Sequence, residues 1–112
     1  SITMNRNMQQ MMRQAQKMQQ QLAEVQDRLA EVEVSASTGG GMVKITATAD
    51  MSVTSVTIDG SQLGLDEEDT EMLQDSILAA VNEVISSAQE AANKQYGAVA
   101  GGMGIPGMPG LF

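Results

Sequence analysis

Residues 4–32 read MNRNMQQMMRQAQKMQQQLAEVQDRLAEV, and their apolar side chains recur at alternating spacings of three and four. This spacing places the apolar side chains along one side of an α-helix and is typical of helices that pack in pairs. The sequence therefore predicts a helical arm over residues 4–33 with an apolar seam suited to dimerisation or to a partner. The seam consists of Met8, Met11, Ala15, Met18, Leu22, Val25 and Leu29.

Methionine is frequent in the amino-terminal half of this seam. Its flexible thioether side chain gives a soft surface that adapts to different partners. Such a surface suits a coiled-coil-like pairing of two identical arms, which is the simpler hypothesis. The alternative is a protein-interaction module whose methionine-rich arms bind a helix of another protein, with DNA binding weak or absent.

Four cationic residues lie on the back of the predicted arm, away from the seam. At about 100° per residue they fall within an arc of roughly 60°. A solvated helix face is the simplest explanation of such a stripe, and contact with phosphate groups is the functional one. This basic stripe consists of Arg6, Arg13, Lys17 and Arg28.

Charge is distributed unevenly along the chain of 112 residues, whose net charge is −8. Residues 1–28 hold the four cations of the basic stripe against two acids, whereas residues 29–112 hold two cations against twelve acids. An acidic surface repels nucleic acid. Any polyanion is therefore expected to meet the arm, with the acidic body turned away.

Composition narrows the classes of function. The chain contains neither cysteine nor histidine, so it lacks disulfides, thiolate and imidazole metal ligands, and the commonest general base at neutral pH. Its two aromatic residues are too few for a platform that stacks single-stranded bases. We therefore expect no enzyme activity, catalytic residue, cofactor, metal or small-molecule substrate. The sequence contains no run of eighteen apolar residues, the length that would predict a membrane span. The cytoplasm is the expected compartment.

Alternation of apolar and polar residues predicts an antiparallel sheet of three strands over residues 34–59. Residues 42–49 alternate in the manner of a half-buried strand, and the glycines at 39–41 precede them. These glycines are expected to form a hairpin turn, because the Lys-Ser/Thr pair and the helix of a phosphate-binding P-loop are missing. Val53 is out of phase with Val56 and Ile58, which predicts a bulge or a loop at the start of the third strand.

A second helix is predicted over residues 66–96, with four acids at 66–69 where the helix dipole favours them. These acids lack the alternation and central glycine of a calcium-binding loop. The apolar side of this helix is expected to cover the sheet. It consists of Leu73, Ile77, Ala80, Val81, Val84, Ala88 and Ala91, widened by Met72, Leu78 and Ile85.

Together these elements predict a single domain over residues 4–96. Its class is α+β, with α-β-β-β-α order, a long protruding amino-terminal helix and a second helix packed on the sheet. Residues 97–112 are rich in glycine, methionine and proline. Such a composition predicts a flexible tail.

Four segments of this chain resemble the YbaB/EbfC family of bacterial nucleoid-associated proteins. They follow one another in the family's order and at its separations, and they span nearly the whole chain. The segments are NMQQMMRQAQKMQQQL at 7–22, GGGMVKI at 39–45, VTSVTID at 53–59 and PGLF at 109–112.

The resemblance implies a homodimer whose helical arms project like tweezers and bind double-stranded DNA with limited sequence preference. It also implies a cytoplasmic, nucleoid-associated location and a role in nucleoid organisation or gene regulation. By position, the implied DNA contacts lie between Arg13 and Lys17, and the helical-face argument adds Arg6 and Arg28. With only six cations in the chain, binding is expected to be weak and sensitive to salt.

Overall fold

The computed structural model describes residues 2–61, 63–64 and 66–102, and it confirms the predicted α-β-β-β-α order. The part of the predicted tail at 103–112 lies outside the described residues. The elements are α1 (Ile2–Leu29), β1 (Glu33–Thr38), β2 (Val43–Thr48), β3 (Ser52–Ile58) and α2 (Glu67–Gly102).

The three strands form an antiparallel sheet in the order β1-β2-β3. Ile45 at the centre of β2 lies opposite Ala36 of β1 and Val56 of β3. Thr46 pairs with Ser55 and Ala47 pairs with Val53, so one residue of β3 between them has no partner. This irregularity confirms the bulge predicted near the start of the third strand.

The glycine turn at residues 39–41 joins β1 to β2, as predicted. All three glycines have positive φ angles, of 63°, 66° and 94°. Residues other than glycine rarely adopt such angles. A Cβ atom on Gly39 would also lie 2.9 Å from the Ser76 hydroxyl of α2. The turn therefore depends on glycine for its backbone and, at Gly39, for its close approach to α2.

Helix α2 packs on one face of the sheet and forms the main core with β1 and β2. The predicted apolar side of this helix supplies most of that packing, but Met72, Leu78 and Ile85 remain exposed. The helix lies toward β1, where the Thr38 hydroxyl donates a hydrogen bond of 2.6 Å to the Ser76 carbonyl. The core consists of Ala36, Val43, Ile45, Ala47, Ala80 and Val84.

Helix α2 begins close to the predicted residue but extends beyond its predicted end. At the start, the Asp66 carboxylate accepts a hydrogen bond of 2.8 Å from the Asp69 N–H, which confirms these acids as helix caps. At the other end, the helix continues to Gly102 rather than stopping at residue 96. Tyr96 and Val99 pack beside Val25 and Leu29 of α1, and this packing outweighs the roughly 1 kcal/mol cost of a glycine inside a helix.

A second core cluster attaches α1 to the rest of the molecule. Val25 and Leu29 are buried there with Ala49, under the last turns of α2. The helix ends at Leu29 rather than residue 33 because β1 already pairs with β2 from Glu33 onward. The Ala49 N–H closes this corner by donating to the carbonyls of Leu29 at 3.1 Å and Val32 at 2.9 Å.

The molecule is elongated, with a longest extent of 79 Å and a radius of gyration of 21.4 Å. A compact chain of this length would have a radius of gyration of about 13 Å. The difference confirms that the long amino-terminal helix protrudes, as predicted.

Candidate nucleic-acid interface

The apolar seam of α1 divides into two parts with different surroundings. Met8 and Met11 are 60% and 67% exposed, whereas Val25 and Leu29 are 0% and 6% exposed. Ala15 is exposed, and Met18 and Leu22 between the two ends are half-buried. The carboxyl-terminal residues of the seam therefore belong to the core of their own chain and are not available to a second copy or to another protein.

The projecting segment comprises residues 4–17, and every side chain along it is exposed. At 1.5 Å per residue it extends about 21 Å. It holds three cations, Arg6, Arg13 and Lys17, and no acid. This segment is therefore a positively charged rod on a molecule that is otherwise acidic.

Arg28 is the fourth residue of the basic stripe, and the structure separates it from the other three. It is exposed in the last turn of α1, where a cation also complements the partial negative charge of a helix carboxyl end. About 16 Å of helix axis lies between Lys17 and Arg28. The structure thus groups Arg6, Arg13 and Lys17 on the projecting segment and places Arg28 beside the body.

The acidic residues lie mainly along α2. Residues 66–90 contain eight acids and no cation, and Lys94 is the one cation later in that helix. Lys and Arg side chains contact the phosphate groups of DNA, whereas carboxylates repel them. An α-helix with side chains is about 10–12 Å across, close to the 12 Å width of the major groove. The projecting segment therefore has both the charge and the dimensions to lie against duplex DNA.

A second surface was not singled out from the sequence. Val53, Val56 and Ile58 of β3 are 56%, 54% and 43% exposed, although they share a face with the buried residues of β2. Since Ser76 of α2 lies against β1, the opposite side of that helix faces β3. That side carries Leu78 and Ile85, which are also exposed. We call these five residues the β3 surface.

One signal in the sequence could have pointed to the β3 surface. Residues 52–58 contain no charged residue, whereas an exposed edge strand usually carries charges that prevent pairing with another chain.

Two other classes of site, metal sites and membrane-spanning helices, are absent from the described ranges. Residues 2–61, 63–64 and 66–102 contain no group of three or more acidic side chains arranged to hold a metal ion. No helix in the same ranges is long and apolar enough to cross a lipid bilayer.

Comparison with known families shows which class of protein combines this fold with a basic projecting segment. The model of the YbaB/EbfC DNA-binding family matches residues 4–103. The chain therefore belongs to this family, which is one of DNA-binding proteins and not of enzymes. Membership confirms the resemblance stated from the sequence.

Individual relatives are similar over nearly their whole length. A nucleoid-associated protein of Staphylococcus carnosus is 53% identical over 102 residues, which cover 91% of this chain and 95% of the relative. One from Alkaliphilus metalliredigens is 46% identical over 91% of this chain and 88% of its own. The crystal structure of an uncharacterized protein from Helicobacter pylori has the same fold, with a TM-score of 0.70 at 19% identity. That match covers 80% of this chain and 92% of the other.

Proposed function

We propose that this protein is a cytoplasmic, nucleoid-associated homodimer that binds double-stranded DNA through the projecting segments of its two α1 helices. It contributes in this way to nucleoid organisation and to gene regulation. The observation that carries the proposal is the exposed segment at residues 4–17, which has three cations and no acid on a chain of net charge −8. The names of the relatives, which are nucleoid-associated proteins, support it.

The mode of binding follows from the residues that the basic stripe offers. Arg6, Arg13 and Lys17 are spaced along one side of the helix and contact phosphates as the segment lies against the duplex. Phosphate contacts carry no sequence information directly, so recognition depends on groove shape and sequence preference is low. Each contacted phosphate lowers the logarithm of the affinity by about 0.9 for each tenfold rise in salt. Binding is therefore weak and sensitive to salt.

The homodimer forms when the β3 surface of one copy packs against that of a second copy. An uncharged edge strand with exposed apolar side chains offers both backbone hydrogen bonds and apolar area to an identical strand. A chain of this length buries only about two-thirds of its unfolded surface when it folds alone, so burial against a second copy adds appreciable stability. The dimer carries two projecting segments, and Met8, Met11 and Ala15 remain available for contacts between them.

A second candidate function rests on the exposed methionines of the projecting segment. Met4, Met8, Met11 and Met12 are between 60% and 67% exposed. Methionine-rich helices bind apolar surfaces of varied shape. In this alternative the segment binds a helix of a partner protein, and its cations only keep it soluble.

The deciding experiment is a salt titration of binding to a fluorescent DNA duplex, followed by anisotropy from low ionic strength upward. Arg13→Gln combined with Lys17→Gln removes two positive charges from each projecting segment. We expect weaker binding at low salt and a shallower salt dependence, because each lost phosphate contact removes about 0.9 from the slope. Sedimentation velocity should show that the double variant keeps the oligomeric state of the wild type.

The matched control changes the net charge equally but elsewhere. Gln89→Glu with Asn93→Asp adds two negative charges to exposed positions of α2, so both double variants change the net charge per chain from −8 to −10. If the control weakens binding as much as the arm variant does, overall charge rather than the projecting segment governs binding. A wild-type protein that fails to bind at low salt would contradict the DNA proposal and favour the protein-interaction alternative.

A further inference from the structure

The sheet has a second face, opposite α2, on which Lys44, Ser37 and Thr57 are exposed and Thr46 is buried. Its side chains are mostly hydroxyls, and several of them are exposed. Lys44 is the one cation of the strands, and it lies on this face with its side chain exposed. The hydroxyl face, as we call it, consists of Lys44 with Ser35, Ser37, Thr46, Thr48, Ser55 and Thr57.

Lys44 has a hydroxyl on each side. It lies directly opposite Ser37 on β1 and directly opposite Thr57 on β3. Side chains of directly opposed residues in an antiparallel sheet lie on the same face, with Cβ atoms about 4.5–5.5 Å apart. The row Ser37–Lys44–Thr57 therefore places a lysine side chain between two hydroxyl-bearing side chains on one face of the sheet. Lysine and hydroxyl side chains are among the groups that contact DNA phosphates.

Two carboxylates lie near this row. Glu33 is the acid of the strands on this face, but it lies opposite Thr48, about 13 Å along the strand from Ser37. Asp59 follows β3, and its carboxylate accepts a hydrogen bond of 3.0 Å from the Ser61 N–H. Hydrogen bonds from Ser61, rather than the charge of Lys44, hold the pKa of Asp59 below its ordinary value.

Access to the row is open on the side of the glycine turn. A Cβ atom placed on Gly40 or Gly41 would have no neighbour within 4 Å, so the tip of the turn stands clear of the rest of the structure. The eight acids of residues 66–90 lead into and run along α2 on the other side of the sheet. The row Ser37–Lys44–Thr57 is therefore on the face of the sheet opposite this acidic helix.

We propose that the row Ser37–Lys44–Thr57 is an additional site for a phosphate group of duplex DNA, which extends the DNA footprint from the projecting segment onto the body. This inference rests on the proposed DNA binding. Lys44 supplies the charge contact, and the two hydroxyls donate hydrogen bonds to phosphate oxygens. The site adds affinity and salt dependence but no sequence preference.

The test uses the same salt titration with Lys44→Gln. For each Lys44 that contacts a phosphate, the slope of log affinity against log salt should become shallower by about 0.9. Between 50 and 200 mM salt, the variant should then lose ~3.5-fold less affinity than the wild type for each such contact. Lys44→Arg keeps the charge and should keep the slope. Thr57→Val removes a hydroxyl, and it should weaken binding without changing the slope.

Lys94→Gln is the matched control, because Lys94 is equally exposed but lies on the acidic helix α2. It should leave the slope unchanged. Equal slopes for Lys44→Gln and the wild type would overturn the inference, provided that the wild type binds and the arm variant is impaired. Absence of wild-type binding would instead overturn the proposed function and this inference with it. Thermal unfolding of each variant shows whether a change in binding reflects loss of fold.

Discussion

Strands β2 and β3 are paired neighbours in one sheet, yet the apolar side chains of β2 are buried and those of β3 are exposed. Ile45 is 1% exposed and its direct partner Val56 is 54% exposed. Val43 is 0% exposed and its partner Ile58 is 43% exposed. All four lie on the same face of the sheet, because direct partners share a face. The difference therefore comes from what covers the face and not from the strands.

Helix α2 provides the cover, and its position explains the difference. It lies over β1 and β2, with its Ser76 side held against Thr38 and Gly39. One helix is about 10 Å wide, which corresponds to roughly two strand spacings of 4.8 Å. A single helix placed toward β1 therefore leaves β3 uncovered. One half of this apolar face is therefore covered by α2 and belongs to the core, and the other half, on β3, remains exposed.

The largest effect on the free energy of unfolding is expected from truncating a side chain in the covered half of the face. Ile45→Ala should lower the free energy of unfolding by about 2–5 kcal/mol, because it leaves a cavity in a closely packed core. Val56→Ala, on the partner position, should change it by less than about 1 kcal/mol in dilute monomeric protein. Urea unfolding at low protein concentration measures both. Similar losses for the two variants would contradict the distinction between covered and uncovered halves.

The sequence could predict the strands but not this distinction. Alternation in residues 42–49 and 53–58 indicates an apolar face on both strands and places Ile45 and Val56 on it. The break in phase at Val53 marks the position of the bulge. A periodic apolar pattern indicates which face of an element tends to be buried, but it does not indicate which element covers that face. The same holds for the seam of α1, whose regular spacing hides the change from exposed Met11 to buried Val25.

The uncovered half can be tested through self-association. Val56→Asp places a carboxylate on the β3 surface, where two copies would bring like charges together without solvent. We expect it to convert dimers to monomers while the folded chain stays intact, since Val56 is exposed in a single copy. Sedimentation velocity over a range of concentrations, with circular dichroism for the fold, provides the measurement.

Ser55→Asp supplies the control for that charge. It lies on the same strand, but it belongs to the hydroxyl face and points away from the β3 surface. It should leave the dimer intact. If Ser55→Asp dissociates the dimer and Val56→Asp does not, the second copy packs on the other face of the sheet. A dimer that survives both changes would be held by the projecting segments instead.

The positions of the basic stripe on its helix could be predicted from the sequence, but the surroundings of its residues could not. Helical periodicity placed Arg6, Arg13, Lys17 and Arg28 on one side of α1, and all four are exposed there. It could not show that Arg28 lies beside the body, because that depends on packing of Val25 and Leu29 beneath α2. The extension of α2 from residue 96 to Gly102 could not be predicted for the same reason. The composition of this segment favours a loop, but contacts with residues distant in sequence stabilise it as a helix.

The turn between β2 and β3 contains a residue in an unfavourable backbone conformation. Met51 has a φ angle of 70°, a conformation that costs a residue with a side chain roughly 1–2 kcal/mol. Asp50 beside it holds the turn, because its carboxylate accepts hydrogen bonds from the Thr48 hydroxyl and from the Ser52 N–H at 3.2 Å. The Met51 N–H also donates to the Thr48 carbonyl at 3.0 Å. The turn thus keeps a strained residue that its hydrogen bonds fix in place.

The smallest expected effect is a gain in stability from relieving this strain. Met51→Gly should raise the free energy of unfolding by about 0.5–1 kcal/mol, since glycine adopts positive φ without steric cost but loses more freedom on folding. Met51→Ala keeps the strain and should give no gain, which separates the backbone effect from loss of the exposed methionine. Both are measured by urea unfolding in the wild-type background and again with Val56→Asp, which removes the contribution of dimerisation. A gain confined to the dimer would show that residue 51 acts through the second copy, and the turn would then belong to the uncovered half of the sheet.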